Sequence, residues 1–123
     1  MKNIKGNLEM YLEELRNKRV IITGASRGIG RATAVMFAKA GAIVGLISRS
    51  QVGLFDVYSE IIEANGKASM LLCDVRNYKE FSASINKFVK EYLSIDILIG
   101  NAGIIDPIAT LENLDPYEFS NSI

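Results

Sequence analysis

The stretch VIITGASRGIG, Val20 to Gly30, decides how this chain is read. Val20, Ile21 and Ile22 form a short unbroken apolar run, the pattern of a strand buried on both faces. Gly24, Gly28 and Gly30 follow, with Ser26, Arg27 and Ile29 between them. An alanine-rich run carrying Val35, Met36 and Phe37 comes next and predicts a closely packed helix over Arg31 to Ala40, with Gly41 as its C-terminal cap.

Glycines at a strand-to-helix junction allow a sharp exit from the strand, a close backbone approach to a pyrophosphate, and tight packing of helix on strand. The helix start adds unpaired N–H groups and the positive end of a dipole. A phosphate cradle is therefore the leading reading, and a turn that holds no ligand is the competing one. A Walker-type loop is poorly supported, because no Gly-Lys-Ser/Thr follows.

The rest of the chain repeats the alternation. Ala42 to Ile47 reads as a second buried strand, and Gln51 to Asn65 as a helix with Leu54, Phe55, Tyr58, Ile61 and Ile62 on its core face, ended by Gly66. Ala68 to Cys73 reads as a third strand. Tyr78 to Leu93 reads as a helix with Phe81, Ile85, Phe88, Val89 and Tyr92 facing inward, and Ile95 to Ile99 as a fourth strand. Strands alternating with helices through short connections predict an α/β fold: a three-layer, doubly wound parallel sheet of Rossmann type. The domain is expected over 18–123. A short amphipathic lead-in helix is expected over 1–17, from Leu8, Tyr11, Leu12 and Leu15. Asp115 and Pro116 read as a helix start, with Phe119 and Ile123 on one face.

Composition excludes several functions. Lys plus Arg number 14 and Asp plus Glu number 14, so net charge gives no reason to expect nucleic acid or an anionic membrane as partner. Cys73 is the only cysteine among 123 residues and histidine is absent, which rules out an internal disulfide and argues against zinc. The opening MKNIKGNLEM lacks an apolar signal core, and no apolar run approaches the ~18 residues of a membrane span. A cytoplasmic location is the expectation.

The end of the second strand reads Ile47-Ser48-Arg49-Ser50. In a dinucleotide-binding unit this position faces the adenosine ribose: an acid there favours NAD, a basic residue a 2′-phosphate. No carboxylate is present. Arg49 offers a planar charged fork, Ser48 a hydroxyl donor, and Arg27 approaches from the glycine loop, so NADP is expected over NAD.

TGASRGIG, Thr23 to Gly30, has the TGxxxGxG spacing of the short-chain dehydrogenase/reductase family in its compact form. CDV, Cys73 to Val75, resembles the family's aspartate after the third strand, and GNAG, Gly100 to Gly103, resembles its NNAG after the fourth, with Gly100 where Asn is usual. The resemblance runs from about Lys18 to Ile123. It implies that Gly24, Ser26, Arg27, Gly28, Ile29 and Gly30 line the pyrophosphate and ribose. It implies that Ser48 and Arg49 read the 2′ position, that Asp74 and Val75 flank the adenine, and that Asn101, Ala102 and Gly103 lie under the nicotinamide-side ribose. The form also resembles 3-oxoacyl-carrier-protein reductases and related ketone or alcohol reductases.

The family's acid/base chemistry uses a Tyr-x-x-x-Lys pair with an upstream Ser. Here Leu15, Ile62, Ser82, Asp96 and Asn121 stand four residues after the five tyrosines, so none is followed by the lysine. No catalytic residue is assigned. The chain reads as the first half of such an enzyme, truncated after the fourth strand. Its small carbonyl or alcohol substrate would be handled only at full length. A non-catalytic half-domain is the alternative. In either case Ile95 to Ile99 is expected to be an exposed apolar edge prone to self-association.

Overall fold

The computed structural model describes residues 13–101 and 108–109. Among these residues three helices alternate with four strands and a fifth strand follows: β1 Arg19–Thr23, α1 Gly28–Lys39, β2 Ile43–Ser48, α2 Gln51–Glu63, β3 Lys67–Leu72, α3 Tyr78–Tyr92, β4 Ile97–Gly100 and β5 Ile108–Ala109. The sheet order is β3-β2-β1-β4-β5, with the first four strands parallel and β5 antiparallel to β4.

β1 lies at the centre because its apolar run can be covered on both faces. Val20 and Ile22 point into one core with Ala34 and Ala38 of α1 and Leu54, Val57 and Ile61 of α2. Ile21, between them, points into the other with Ile47, Leu71, Leu98 and Phe81 and Phe88 of α3. The period of two along the strand thus separates the two layers. Gly45 sits opposite Ile21 in the register. A Cβ at Gly45 would come within 2.5 Å of Ile21 and 2.9 Å of Phe88, so its bare backbone lets the Phe88 ring, itself fully buried, rest on the sheet.

Local chemistry sets the helix ends. Ser50 caps α2 by accepting from the Gly53 N–H, and Asn77 caps α3 by accepting from the Glu80 N–H. Gly41 takes φ 95° just beyond α1, as expected of a C-terminal cap. α2 ends differently from expectation: Asn65, at φ 65°, makes the left-handed turn before Gly66. At the far end of the sheet, Asp96 bonds the Arg19 N–H through Oδ2 at 2.8 Å while its own N–H bonds the Arg19 carbonyl at 2.8 Å, which clamps the start of β4 to β1.

Several expectations need correction. α1 begins at Gly28, not Arg31, so the glycine loop supplies its first turn. On α2 the buried stripe is Leu54, Val57 and Ile61; Phe55 and Ile62, each one position round the helix from that stripe, are 55% and 42% exposed. β3 and β4 each shift by one or two residues. The fourth strand is not an open edge: Leu98 and Ile99 pair with Ala109 and Ile108 of β5. The chain returns antiparallel and supplies the backbone partners that the expected sticky edge lacked. Of the lead-in helix only the last turn, ending in Asn17 at φ 63°, lies within the described residues; the helix expected after Asp115 lies outside them.

Candidate functional site

The carboxyl ends of β1 to β4 open into one cleft of about 780 Å³. Gly24, Ser26 and Arg27 line it from the glycine loop, Ser48 and Arg49 from the end of β2, Asp74 and Val75 from the end of β3, and Asn101 from the end of β4. Four segments spread over almost eighty positions of sequence thus meet, because each follows a parallel strand of the same sheet. Two other grooves, about 700 and 620 Å³, lie along β3 and on the outer side of α1; neither gathers this set.

The loop geometry explains the glycines. Gly24 and Gly28 take φ 63° and 62°, where a side chain is strained. Gly30 is buried under the loop, and a Cβ there would collide with the Gly24 carbonyl oxygen. Ile29 points outward, 78% exposed. Ala102 and Gly103 lie outside the described residues.

α1 differs from the other two helices at its start. Arg27, its N-cap residue, is extended and offers no side-chain acceptor. The first N–H groups of a helix have no partner within it. In α2 and α3 a side chain answers one of these donors; in α1 no side-chain cap does, and Gly28, its first residue, lines the groove on the outer side of the helix while Ser26 and Arg27 just before it line the cleft. An anion with several oxygens, such as a pyrophosphate, fits this donor set.

At the β2 end, Ser48 is buried and its Oγ accepts from the Ser50 N–H at 3.1 Å, leaving its own proton to donate. Among the described residues the guanidinium groups of Arg27 and Arg49 make no hydrogen bond or ion pair. At the β3 end the arrangement is tighter. Asp74 Oδ1 accepts from the Arg76 N–H at 2.9 Å and from Arg76 Nε at 3.1 Å, and Oδ2 accepts from Arg76 Nη2 at 3.0 Å. The Arg76 side chain, helped by its backbone N–H and by the more distant Arg49 charge, holds the Asp74 carboxyl below the usual carboxylate range.

Val75 turns its side chain into the core, so only its backbone could flank a ligand. Cys73 is also core, its thiol pushed up by burial. At β4 the Asn101 N–H donates to Thr23 Oγ1 at 3.0 Å, and the Thr23 hydroxyl reaches the Ile99 carbonyl at 3.4 Å. The sequence reading missed Thr23 and Arg76. Arg76 had a signal, standing two residues from Asp74; Thr23 opens the TGxxxGxG motif, but its partners lie more than 75 positions away and are not legible from it. None of the described tyrosines lines the cleft. Among the described residues there is no cluster able to hold a metal ion, and no helix long and apolar enough to cross a membrane.

A parallel sheet with helices on both faces, a glycine loop at the β1–α1 junction, and a cleft across the strand ends define a dinucleotide-binding doubly wound domain. The family model described as short chain dehydrogenase matches residues 18–123, and the chain belongs to this family, whose cofactor is NAD(P). A 3beta-hydroxysteroid dehydrogenase of Mediterraneibacter gnavus is 36% identical over 98 residues, covering 80% of this chain and 36% of the relative. The chain thus spans about a third of that relative's length. A short-chain dehydrogenase/reductase of Mycobacterium marinum superposes with TM-score 0.72 at 34% identity, covering 92% of this chain and 45% of the other. An actinorhodin polyketide ketoreductase with NADPH superposes with TM-score 0.67 at 33% identity, covering 69% and 33%.

Proposed function

We propose that this chain is the cofactor-binding half of an NADP-dependent oxidoreductase that reduces ketones or 3-oxoacyl groups, or oxidises the corresponding alcohols. The observation that carries the cofactor choice is the charge pattern around the β2 end: among the described residues Arg49 at the cleft and Arg27 in the loop have no hydrogen-bond or ion-pair partner, while the Asp74 carboxylate is engaged by Arg76. A 2′-phosphate would meet two unspent guanidinium forks and the Ser48 proton, whereas a 2′-hydroxyl would find no carboxylate waiting for it.

The other roles are those that the family resemblance implies. Gly24, Ser26, Gly28, Ile29 and Gly30 offer backbone to the pyrophosphate at the start of α1. Asp74 and the Val75 backbone flank the adenine. Asn101 would face the nicotinamide side, the role that the family resemblance also gives to Ala102 and Gly103. A dinucleotide held there would supply a hydride for carbonyl reduction and take one up in alcohol oxidation. The acid/base group is not among these 123 residues, since no tyrosine here has its lysine. The relatives named as hydroxysteroid dehydrogenase and ketoreductase support the carbonyl/alcohol substrate class.

Titration of the purified chain with NADPH and NADH tests this reading. NADPH should bind more tightly, and Arg49→Asp should abolish the difference. Equal affinities in the unaltered chain would overturn the NADP assignment.

A further inference from the structure

We propose that Arg76 is a positioning residue for cofactor choice: by holding Asp74 in a two-pronged pair, it keeps that carboxylate from closing onto Arg49. This rests on the NADP reading and assigns a new residue to it. Three charged side chains line the same end of the cleft, Arg49 from β2 and Asp74 and Arg76 from β3. One carboxylate therefore shares this end of the cleft with two arginines.

Arg76 holds the carboxylate by geometry that Arg49 lacks. It offers three donors to Asp74, at 2.9, 3.1 and 3.0 Å, and one of them is a backbone N–H fixed by the loop. Arg49 makes no hydrogen bond to Asp74, although its positive charge is felt there. Both of the carboxylate's oxygens are occupied by Arg76. If the Arg76 side chain is removed, the strongest remaining cation at Asp74 is Arg49. An arginine tied to a carboxylate has fewer donors left for a phosphate, and the carboxylate itself repels one. The 2′-phosphate site would then be lost without any change in Arg49 itself.

The test uses two fragments, 2′,5′-ADP and 5′-ADP, titrated into the chain by calorimetry. Their affinity ratio isolates the 2′-phosphate from everything else that both share. The unaltered chain should prefer 2′,5′-ADP, and Arg76→Gln should cut that preference by about tenfold, the scale of one charge-assisted hydrogen bond. Adding Asp74→Asn to Arg76→Gln should restore the preference, because no carboxylate remains to capture Arg49. Asp74→Asn alone should weaken both fragments through the adenine and leave the ratio high. Arg76→Ala serves as a second variant, with circular dichroism confirming the fold. A ratio unchanged by loss of Arg76 overturns the proposal. So does a ratio that falls but does not return in the double variant, which would mean that Arg76 meets the phosphate directly. If the unaltered chain shows no preference, the NADP reading fails and this inference falls with it; a preference that survives Arg76→Gln leaves the NADP reading standing and removes only this inference.

Discussion

The Asn101 N–H is bonded to the Thr23 hydroxyl at 3.0 Å, and through it the exit of β4 is tied to the exit of β1. Thr23 is fully buried and also reaches the Ile99 carbonyl. One side chain thereby sets the spacing of two of the strand ends that frame the cleft. Thr23→Val keeps the shape and removes the hydroxyl, leaving the Asn101 N–H without its partner. The expected cost is about 1–3 kcal/mol of folding stability, with Thr23→Ser losing less. Urea unfolding followed by circular dichroism measures both, and a valine variant as stable as the parent would mean that water replaces the bond.

The two later glycines of the loop should respond differently to alanine. At Gly30 the new methyl meets the Gly24 carbonyl, so loop or helix must shift; overpacking of this kind costs about 1–3 kcal/mol. At Gly28 nothing lies within 4 Å of the new atom, and the difficulty is the φ of 62° alone. That costs about 1–2 kcal/mol while the surrounding packing is kept. Amide spectra of the two variants distinguish them: Gly30→Ala should perturb residues on both β1 and α1, Gly28→Ala only its neighbours.

The Asp74–Arg76 pair predicts a pH signature. Arg76 lowers the Asp74 pKa in the folded chain. A group whose folded pKa is depressed contributes stability above its unfolded value, about 3.9 for aspartate, and loses it as pH falls through the folded value. The melting temperatures of the parent and of Asp74→Asn should therefore differ by a constant amount from pH 7 down to about 5, and converge below about 4. A difference that persists unchanged at acid pH would show that charge plays no part in it.

Leu93 closes α3 at φ 79° with its side chain 79% exposed. The position carries backbone strain and gains little from burial. Leu93→Gly should raise stability by about 0.5–1 kcal/mol, the relief of the left-handed conformation less the added freedom of glycine when unfolded. A lowered melting temperature would show that the leucine has a packing role.

Much of the fold was legible in the sequence because its signals are local. Apolar runs of strand length, helical stripes such as Phe81, Ile85 and Phe88, and glycines at a strand end each carry their meaning within a few residues. The stripe on α2 was misread for the same reason: Leu54 and Phe55 are adjacent, and only the sheet beneath decides which of them is covered. The gathering of these segments at one cleft was legible too, since each follows a strand and parallel strands deliver their ends to one side. What a residue does within the set was less legible. Val75 belongs to the motif, yet its side chain went to the core.

By itself the sequence determined the α/β alternation, the glycine loop between the first strand and its helix, the basic end of β2, and the lack of a Tyr-x-x-x-Lys pair. These depend on residue type and short spacing. The tertiary structure decided that Thr23 joins β1 to β4, that Gly45 makes room for Phe88, that β5 pairs with the edge of β4, and that Asp74 is engaged by Arg76 while Arg49 has no hydrogen-bond partner among the described residues. The physical reason is the same in each case. A contact's strength depends on which partners the packed sheet brings within about 3 Å, and geometry at that range does not follow from spacing along the chain.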